Sequence, residues 1–575
     1  MRNPYKEKET RSDIEVTLSR RAAIISIFSF LCIIILPPLY QNIFELNKKL
    51  CGNNDITWVP TIEIFNKDSK TTITDHLQQY EKSLEDAEFT EPPRRIIQTI
   101  LSKGPLHEGN SKTKIGKNGW LFLKTSLNSL TGYGPIKTEP QSVSKDPNLN
   151  HWQSPLTVIE RFADQLNQFG VHLVIVSIPV KPMIYPEHLS QPTQEPVIHP
   201  DSENFYSALR SLNNVDVLDL TLPLFKLKSN SEVFLKQDTH WTPEGMEKAA
   251  KIIADHIKSK GWEYKQSVLK TNGSESRSSF GDLVENLNTY GKISDLETVM
   301  ATPVKGQTID PESSIVLLGD SFTNIYSTDT TLNWGKHAGL ADHIALNLGG
   351  PLDVIAINGG GATGARKKLA SRKGSAVSMK KKRAVIWAIT SRDLFLSPTA
   401  AHKARIHWEN VIFDNRSPEP IRISSARVRA KILSKPKLPD PKSTTYSALL
   451  YGADYKILET TSGKIETDGN RIAVMHWAYK NRQMLPSSNY KIGEERVLNL
   501  IPFDEMKELR TLEQLYDGDL FDYYWDLPEA NNEMPEKTII LKENGSNSHL
   551  IASASCGLFA LILAFLIKKI VKHNT

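Results

Sequence analysis

Between residues 155 and 400, amphipathic stretches alternate with short runs that are apolar on both faces. The run 171–178 is apolar at nearly every position, which is typical of a central strand in a parallel sheet. Further strands are predicted at 215–220, 314–318, 352–357 and 383–389. Helices are predicted at 155–169, 202–213, 243–260, 335–348 and 362–371. Strands that are separated by helices predict an α/β fold with a doubly wound parallel sheet.

The hydrophobic pattern changes on both sides of this region. Residues 42–110 are mostly polar and predict a membrane-proximal lead-in, and 115–123 predicts a tight turn that enters a buried strand. We therefore assign the α/β domain to 111–400. Residues 401–545 predict a β-rich accessory domain and linker, with a helical or loop segment at 504–530. Its β-like runs are 421–432, 446–451, 471–479 and 496–501.

Each end of the chain carries an uncharged apolar stretch. Residues 22–41 follow a basic pair and predict a transmembrane anchor after a cytoplasmic tail, 1–21. A cleaved signal peptide is the alternative, but no small-x-small site follows the stretch. Residues 549–568 predict a second transmembrane helix. Its apolar run 550–567 carries no charge, and the lysines that follow this run argue against a GPI-type tail. The positive-inside rule places both termini in the cytoplasm and residues 42–549 outside it.

Charge and cysteine content narrow the classes of function. The net charge of +5 is accounted for by the two chain ends, so the body carries no excess of basic residues for a nucleic-acid groove. Of the 3 cysteines, two lie in the predicted spans. The region between the spans therefore has a single cysteine and cannot form a disulfide of its own. The sequence shows neither a CxxC nor an HExxH pattern, and we predict no metal and no cofactor.

Three side chains supply the parts of an activated nucleophile. Ser321 follows a buried run, at the edge where α/β sheets place their ligands. Asp238 and His240 stand two positions apart, so on an extended segment both project to the same side. A carboxylate that orients an imidazole, and an imidazole that takes the proton of a serine, make a Ser-His-Asp triad. The alternatives are a Gly-Asp-Ser turn, and a capping Asp beside a solvent-facing His.

Four motifs together resemble the alginate O-acetyltransferases of the AlgJ/AlgX type. The resemblance covers roughly 110–400 and implies an SGNH-hydrolase-like domain in which the Asp-x-His element precedes the serine. It implies Ser321 as acyl-accepting nucleophile, His240 as general base and acid, and Asp238 as its orienter. The motifs are Gly119-Trp120-Leu121-Phe122, Pro179-Val180-Lys181 with Tyr185-Pro186, Asp238-Thr239-His240-Trp241, and Gly319-Asp320-Ser321-Phe322.

The resemblance also implies partners and a compartment. The acceptor would be an extracytoplasmic polysaccharide, and a partner membrane-bound O-acyltransferase would supply the acetyl group. Together with the two predicted spans, this places a two-span protein in the cell inner membrane with its catalytic domain in the periplasm. The second span and the β-rich segment depart from the family pattern, so they leave the particular polymer open.

Further site residues are predicted around the triad. Asn358 and Gly360 lie in a glycine-bearing loop that resembles the family's oxyanion region, and a plain strand-to-helix turn is the alternative. Arg392 is carried over as a group that grips an acyl or sugar oxygen, although Ala388 replaces the family's acidic residue. Trp241 either packs against His240 or offers a face for stacking on a sugar.

The leading interpretation is an O-acetyltransferase that modifies an exported or surface polysaccharide through an acyl-enzyme at Ser321. The same triad with water as acceptor would make a carbohydrate acetyl esterase. Exclusion of water from the cleft decides between the two. A third interpretation, from a different class, is a non-catalytic membrane-tethered glycan-binding subunit.

Overall fold

The structure is a computed structural model and describes a large part of the chain. No helix in the described part is both long and apolar enough to cross a membrane. The predicted tail 1–21 and second span 549–568 lie outside the described residues, as does most of the predicted span 22–41. The described residues are 26–28, 30, 39–43, 46, 50, 81, 91–135, 153–327, 334–416, 425–441, 444, 446–465, 467–506, 508–518, 520 and 523–527.

The chain divides into two units, one formed by Leu101–Ile539 and the other by the two chain ends. The larger unit holds both sheets of interest. The longer helices within the described ranges are α1 (Glu91–Lys103), α2 (Lys124–Asn128), α3 (Pro155–Gln168), α4 (Lys181–Ile184), α5 (Ser202–Arg210), α6 (Thr221–Leu227), α7 (Pro243–Ser259), α8 (Asp282–Asn286), α9 (Ser321–Asn324), α10 (Leu340–Leu348), α11 (Gly364–Ala370), α12 (Ser375–Ser378), α13 (Ser391–Phe395) and α14 (Pro398–Ala404).

The strands follow the same chain order. They are β1 (Thr113–Ile115), β2 (Leu121–Leu123), β3 (His172–Ile178), β4 (Val215–Asp219), β5 (Lys270–Thr271), β6 (Glu275–Ser279), β7 (Glu297–Ala301), β8 (Val304–Lys305), β9 (Ile315–Gly319), β10 (Asp353–Ala356), β11 (Ala384–Thr390), β12 (Ala426–Ser434), β13 (Leu449–Gly463), β14 (Arg471–Lys480), β15 (Gln483–Met484), β16 (Glu495–Pro502), β17 (Gln514–Leu515) and β18 (Tyr523–Asp526).

A parallel sheet of five strands, here the central sheet, has the order β10-β9-β11-β3-β4. All four neighbouring pairs run parallel. Each predicted strand of the α/β region is present, with bounds within two residues of those predicted. The prediction of a doubly wound parallel sheet is therefore confirmed.

Side chains of the central sheet enter two separate apolar cores. Val174 and Leu317 pack on one face with residues of α7 and α10. Leu173 and Leu318 pack on the other face with residues of α3 and α11. Because successive residues of a strand point to opposite faces, a strand covered by helices on both sides is apolar throughout. This is the pattern that the sequence shows.

A second sheet, here the C-terminal sheet, is formed by β12 to β18 in the order β15-β14-β18-β16-β12-β13-β17. Its strand β14 also pairs with β13, so five strands close on themselves. The predicted β-rich region is thereby confirmed. The structure corrects one detail, since two short strands, β17 and β18, lie inside the segment predicted as helix or loop. β17 pairs with β13, and β18 pairs with β14 and β16 on its two sides. Tertiary pairing of this kind leaves no local periodicity to find.

Candidate active site

Ser321 stands where β9 meets the short helix α9. The carboxylate of Asp320 caps that helix by accepting from the backbone N–H of Phe322 at 2.9 Å. Gly319 is required at the turn, because a Cβ there would lie 2.0 Å from Oγ1 of Thr323. A buried strand thus ends in a sharp turn that fixes the position of the serine hydroxyl. Ser321 is only 3% exposed.

Asp238 and His240 lie in a bend between Phe234 and Trp241, which form an isolated antiparallel bridge. The segment is thus bent where we expected it to be extended. Oδ1 of Asp238 accepts from the backbone N–H of His240 at 3.1 Å and lies 2.6 Å from its Nδ1. The bend brings the carboxylate and the imidazole into direct contact.

The other imidazole nitrogen meets the serine. Nε2 of His240 lies 2.8 Å from Oγ of Ser321, within the hydrogen-bond reach of about 2.6–3.2 Å that a general base requires. The carboxylate, imidazole and hydroxyl therefore form one continuous chain of hydrogen bonds. All three side chains are buried.

The pKa values of this chain follow from burial and charge. Burial alone would raise the pKa of Asp238, but the charge and hydrogen bond of His240 outweigh it and lower that pKa to about 2. Burial alone would lower the pKa of His240, yet Asp238 raises it above its usual value. The carboxylate thus stays ionised and favours a protonated imidazole, as a proton acceptor for Ser321 requires.

Two residues that the sequence did not reveal hold the far side of Asp238. Its Oδ2 accepts from the indole Nε1 of Trp334 at 3.0 Å and from the backbone N–H of Asp282 at 3.1 Å. The carboxylate of Asp282 accepts in turn from the backbone N–H and the hydroxyl of Thr239, both at 2.8 Å. These bonds fix the bend that carries the carboxylate and the imidazole.

Burial and the neighbouring charge of Asp238 raise the pKa of Asp282 to about 7. Within the described ranges, Asp238, His240 and Asp282 also form a group with candidate ligand atoms within 4.8 Å of one another. The carboxylate oxygens of this group already accept hydrogen bonds from protein donors, and Nδ1 of His240 donates to Asp238. The arrangement therefore fits an orienting network better than a metal centre.

The remaining motifs pack behind this network. Lys181 is buried, and its Nζ donates to the carbonyls of Leu121 at 2.8 Å and Lys236 at 3.2 Å. The backbone N–H of Leu121 donates to the carbonyl of Lys236 at 2.9 Å. Burial lowers the pKa of Lys181 to about 8. These motifs tie β2 to the segment that leads into Asp238, so they support the site without entering it.

For Trp241 and Gly360 the sequence left two alternatives each, and the surroundings of both residues bear on the choice. Trp241 has no exposed surface, and its Nε1 donates to the carbonyl of Phe322 at 3.1 Å. A ring without exposed surface cannot stack on a sugar, so the structure favours packing. The backbone N–H of Gly360 donates to the carbonyl of Ile357 at 2.8 Å. This N–H is therefore used within a turn, in keeping with the strand-to-helix turn that the sequence offered as the alternative to an oxyanion donor.

Asn358 and Arg392 are connected to the turn that carries Ser321 by way of intermediate residues. Oδ1 of Asn358 accepts from Nδ2 of Asn324 in α9 at 3.0 Å. Nε of Arg392 donates to Oδ1 of Asp393 at 3.0 Å. Burial alone would lower the pKa of Arg392, but the charge of Asp393 raises it. Burial and that same charge raise the pKa of Asp320 to about 6.

A tyrosine of the C-terminal part also contacts the serine. Oη of Tyr446 donates to Oγ of Ser321 at 3.0 Å, across 125 positions of sequence. Trp334 and Asp238 are likewise separated by 96 positions. No spacing rule links residues so far apart, and only the folded arrangement reveals them.

Comparison with known proteins identifies the domain around this site. Residues 114–391 match the family described as SGNH hydrolase-like domain, acetyltransferase AlgX. The probable alginate O-acetylase AlgJ of Pseudomonas putida is 30% identical over 176 residues, which is 30% of this chain and 41% of that protein. The Pseudomonas aeruginosa protein of the same description is 31% identical over 30% of this chain and 40% of its own length. The matches thus span about two fifths of these relatives, and they confirm the resemblance.

Two solved structures are similar to this chain at lower identity. The O-acetyltransferase domain of Pseudomonas putida AlgJ has a TM-score of 0.37 at 22% identity, over 49% of this chain and 92% of that chain. AlgX of Pseudomonas aeruginosa has a TM-score of 0.33 at 17% identity, over 67% of this chain and 90% of that chain.

Proposed function

We propose that this protein is an O-acetyltransferase acting on hydroxyls of an exported or surface polysaccharide. The match of residues 114–391 to the family described as SGNH hydrolase-like domain, acetyltransferase AlgX, supports the proposal. The observation that carries the proposal is the contact chain from Asp238 through His240 to Ser321, with distances of 2.6 and 2.8 Å. This is the geometry of an activated serine nucleophile.

In the first step, Oγ of Ser321 attacks the carbonyl carbon of an acetyl donor while Nε2 of His240 takes its proton. The donor's leaving group departs with that proton, and an acetyl ester of Ser321 remains. We assign the backbone N–H of Ser321 as the donor to the oxyanion. Ser321 is the first residue of α9, so its N–H has no acceptor within the helix. Asp238 holds the imidazole in the correct tautomer and stabilises its charge.

In the second step, a sugar hydroxyl takes the place of the leaving group. Its oxygen attacks the acetyl carbonyl, His240 takes the hydroxyl proton, and the bond to Oγ breaks. His240 then returns the proton to Ser321, and the acetylated sugar leaves. Water in place of the sugar would give the esterase reaction. The burial of all three side chains supports transfer, because a site that excludes bulk water disfavours hydrolysis.

The setting of the reaction is part of the proposal. A polysaccharide acceptor is in keeping with relatives described as probable alginate O-acetylases. We propose further that the acetyl group comes from a partner membrane-bound O-acyltransferase, and that the catalytic domain works in the periplasm beside the inner membrane.

The test uses the full chain, purified in detergent, with a chromogenic acetyl ester as donor and an oligosaccharide as acceptor. Acetylated sugar is measured by mass spectrometry and free acetate by an enzymatic assay. We expect Ser321→Ala to abolish formation of acetylated sugar. The matched control is Ser314→Ala, because this serine stands at the opposite end of β9 and its hydroxyl bonds to the carbonyl of Glu263.

Three outcomes distinguish the interpretations. Acetylated sugar that depends on Ser321 supports the transferase. Acetate release that is independent of the acceptor would replace it with the esterase. Retention of glycan with no turnover in either assay would indicate a binding subunit and overturn the proposal.

A further inference from the structure

Tyr446 reaches the nucleophile from outside the matched domain, shortly before β13 of the C-terminal sheet. Oγ of Ser321 therefore has two side-chain partners, Nε2 of His240 at 2.8 Å and Oη of Tyr446 at 3.0 Å. A serine hydroxyl has one proton to donate and lone pairs to accept. It can thus donate to the imidazole and accept from the phenol at the same time.

Thr444, two positions before Tyr446, is bonded to the α/β domain and to the C-terminal sheet. The carbonyl of Thr444 accepts from Nζ of Lys112 at 2.7 Å and from Arg482 at 2.9 Å. Arg482 also donates to Oδ1 of Asn286 at 2.9 Å, at the end of α8. The phenol is therefore positioned by contacts to the α/β domain as well as to its own sheet.

The ring of Tyr446 fits against the loop after β10. At Gly359, which has a φ of +72°, a Cβ would lie 2.9 Å from Cε2 of Tyr446. Only a glycine leaves room for the ring at this place, and it also tolerates the positive φ. The loop that the sequence marked for its glycines thus accommodates a side chain from the C-terminal part.

On these contacts, and resting on the proposed role of Ser321 as nucleophile, we propose that Tyr446 is a further catalytic residue. Its O–H donates to Oγ while that oxygen carries negative charge, as the bond between Ser321 and the acetyl group forms and breaks. The C-terminal part of the chain thereby completes the active site.

The chemistry of the transfer step shows why this donor matters. The sugar oxygen bonds to the carbonyl carbon as His240 takes its proton. The bond from that carbon to Oγ then breaks, its electron pair passes to Oγ, and His240 returns the proton there. A hydrogen bond to a charged oxygen is stronger than one to a neutral oxygen. The contact from Tyr446 therefore stabilises the transition state more than the acyl-enzyme.

Tyr446 remains a donor over the working pH range. Burial raises the pKa of this phenol, and the nearby carboxyl of Asp320 raises it further. The phenol keeps its proton at neutral pH, so Tyr446 donates and does not compete with His240 as a base.

The test is Tyr446→Phe in the full chain, which keeps the ring against Gly359 and removes only the O–H. We expect kcat for acetyl transfer from the chromogenic ester to the oligosaccharide to fall roughly 10- to 100-fold. The KM for the acceptor should change by less than about twofold. The midpoint of the acid limb of the pH profile should stay in place, because Asp238 and His240 are unaltered.

An unchanged kcat in Tyr446→Phe would overturn the inference. A higher kcat in Tyr446→Ala would overturn it as well. The side chain would then block the site and would have to move away before the reaction. The matched control is Tyr455→Phe, in which the lost hydroxyl hydrogen-bonds to His476 at 2.9 Å within the C-terminal sheet. An equal loss of kcat there would assign the effect to loosening of that sheet and contradict the inference.

Ser321→Ala separates this inference from the proposed function. If Ser321→Ala is inactive and Tyr446→Phe has full activity, the inference about Tyr446 alone is wrong. If Ser321→Ala retains transfer activity, the proposed nucleophile and the inference are both wrong.

Discussion

The central sheet and the C-terminal sheet bury their strands in different ways. Every residue of β9 is buried, whereas β12 alternates between buried and exposed side chains over most of its length. A strand covered by helices on both faces can present a functional group only beyond its end, and Ser321 stands there. The C-terminal sheet places Tyr446 in the connection before β13. The first arrangement leaves a signature in the sequence, and the second leaves none.

The largest predicted effect sharpens this comparison at the catalytic edge of the central sheet. In Asp238→Asn, the amide cannot hold the imidazole in the tautomer that accepts the proton of Ser321. We expect kcat to fall on the order of 10³- to 10⁴-fold. Steady-state acetyl transfer measures this, and a loss below tenfold would remove Asp238 from its proposed role.

The same variant has a predicted pH signature. Activity needs a neutral imidazole, so in the unaltered protein it falls as the pH drops through the pKa of His240. That pKa is raised above the usual 6.5 by Asp238. Removal of the carboxylate charge lowers the pKa, so the residual activity of Asp238→Asn should persist to lower pH. An acid limb that moves to higher pH would contradict this electrostatic account.

The next effect is on stability, and it tests whether β9 is covered on both faces or on only one. Leu317→Ala and Leu318→Ala truncate neighbouring residues that enter opposite cores. Each should lower the free energy of unfolding by about 2–5 kcal/mol, measured by urea denaturation followed by tryptophan fluorescence. If one of the two variants cost less than about 0.5 kcal/mol, β9 would not be covered on both faces.

The sequence was most informative where local pattern and chemistry coincide. The run before Ser321 predicts β9, and the short spacing of Asp238 and His240 predicts their contact, because each depends on neighbouring residues. The contacts of Trp334 and Tyr446 depend on how distant segments pack. The strand β18 is short and takes its identity from the two strands that it pairs with. Local periodicity carries no trace of such contacts.

Trp334 provides a further prediction, and it concerns a residue outside every motif. Trp334→Phe keeps an aromatic ring and removes the N–H that donates to Oδ2 of Asp238. Since the backbone N–H of Asp282 still bonds to that oxygen, we expect a loss in kcat of roughly tenfold. The acid limb should move to higher pH. A carboxylate that accepts fewer hydrogen bonds stabilises the protonated form of His240 more strongly, and this raises the pKa of the imidazole. A variant with unaltered kcat and pH profile would show that one donor is enough.

The smallest effect belongs to the exposed face of the C-terminal sheet. In β12, Val428 is buried while the neighbouring Arg429 is 45% exposed and pairs with Glu459 at 3.4 Å and Glu495 at 2.9 Å. Exposed ion pairs are weakened by water and salt, so Arg429→Ala should lower the free energy of unfolding by less than about 1 kcal/mol. Val428→Ala should cost more, because it leaves a cavity among apolar side chains. The loss of free energy of unfolding in Arg429→Ala should shrink further at high salt. If it instead equals the loss in Val428→Ala at high salt, the C-terminal sheet is stabilised on both faces, as the central sheet is.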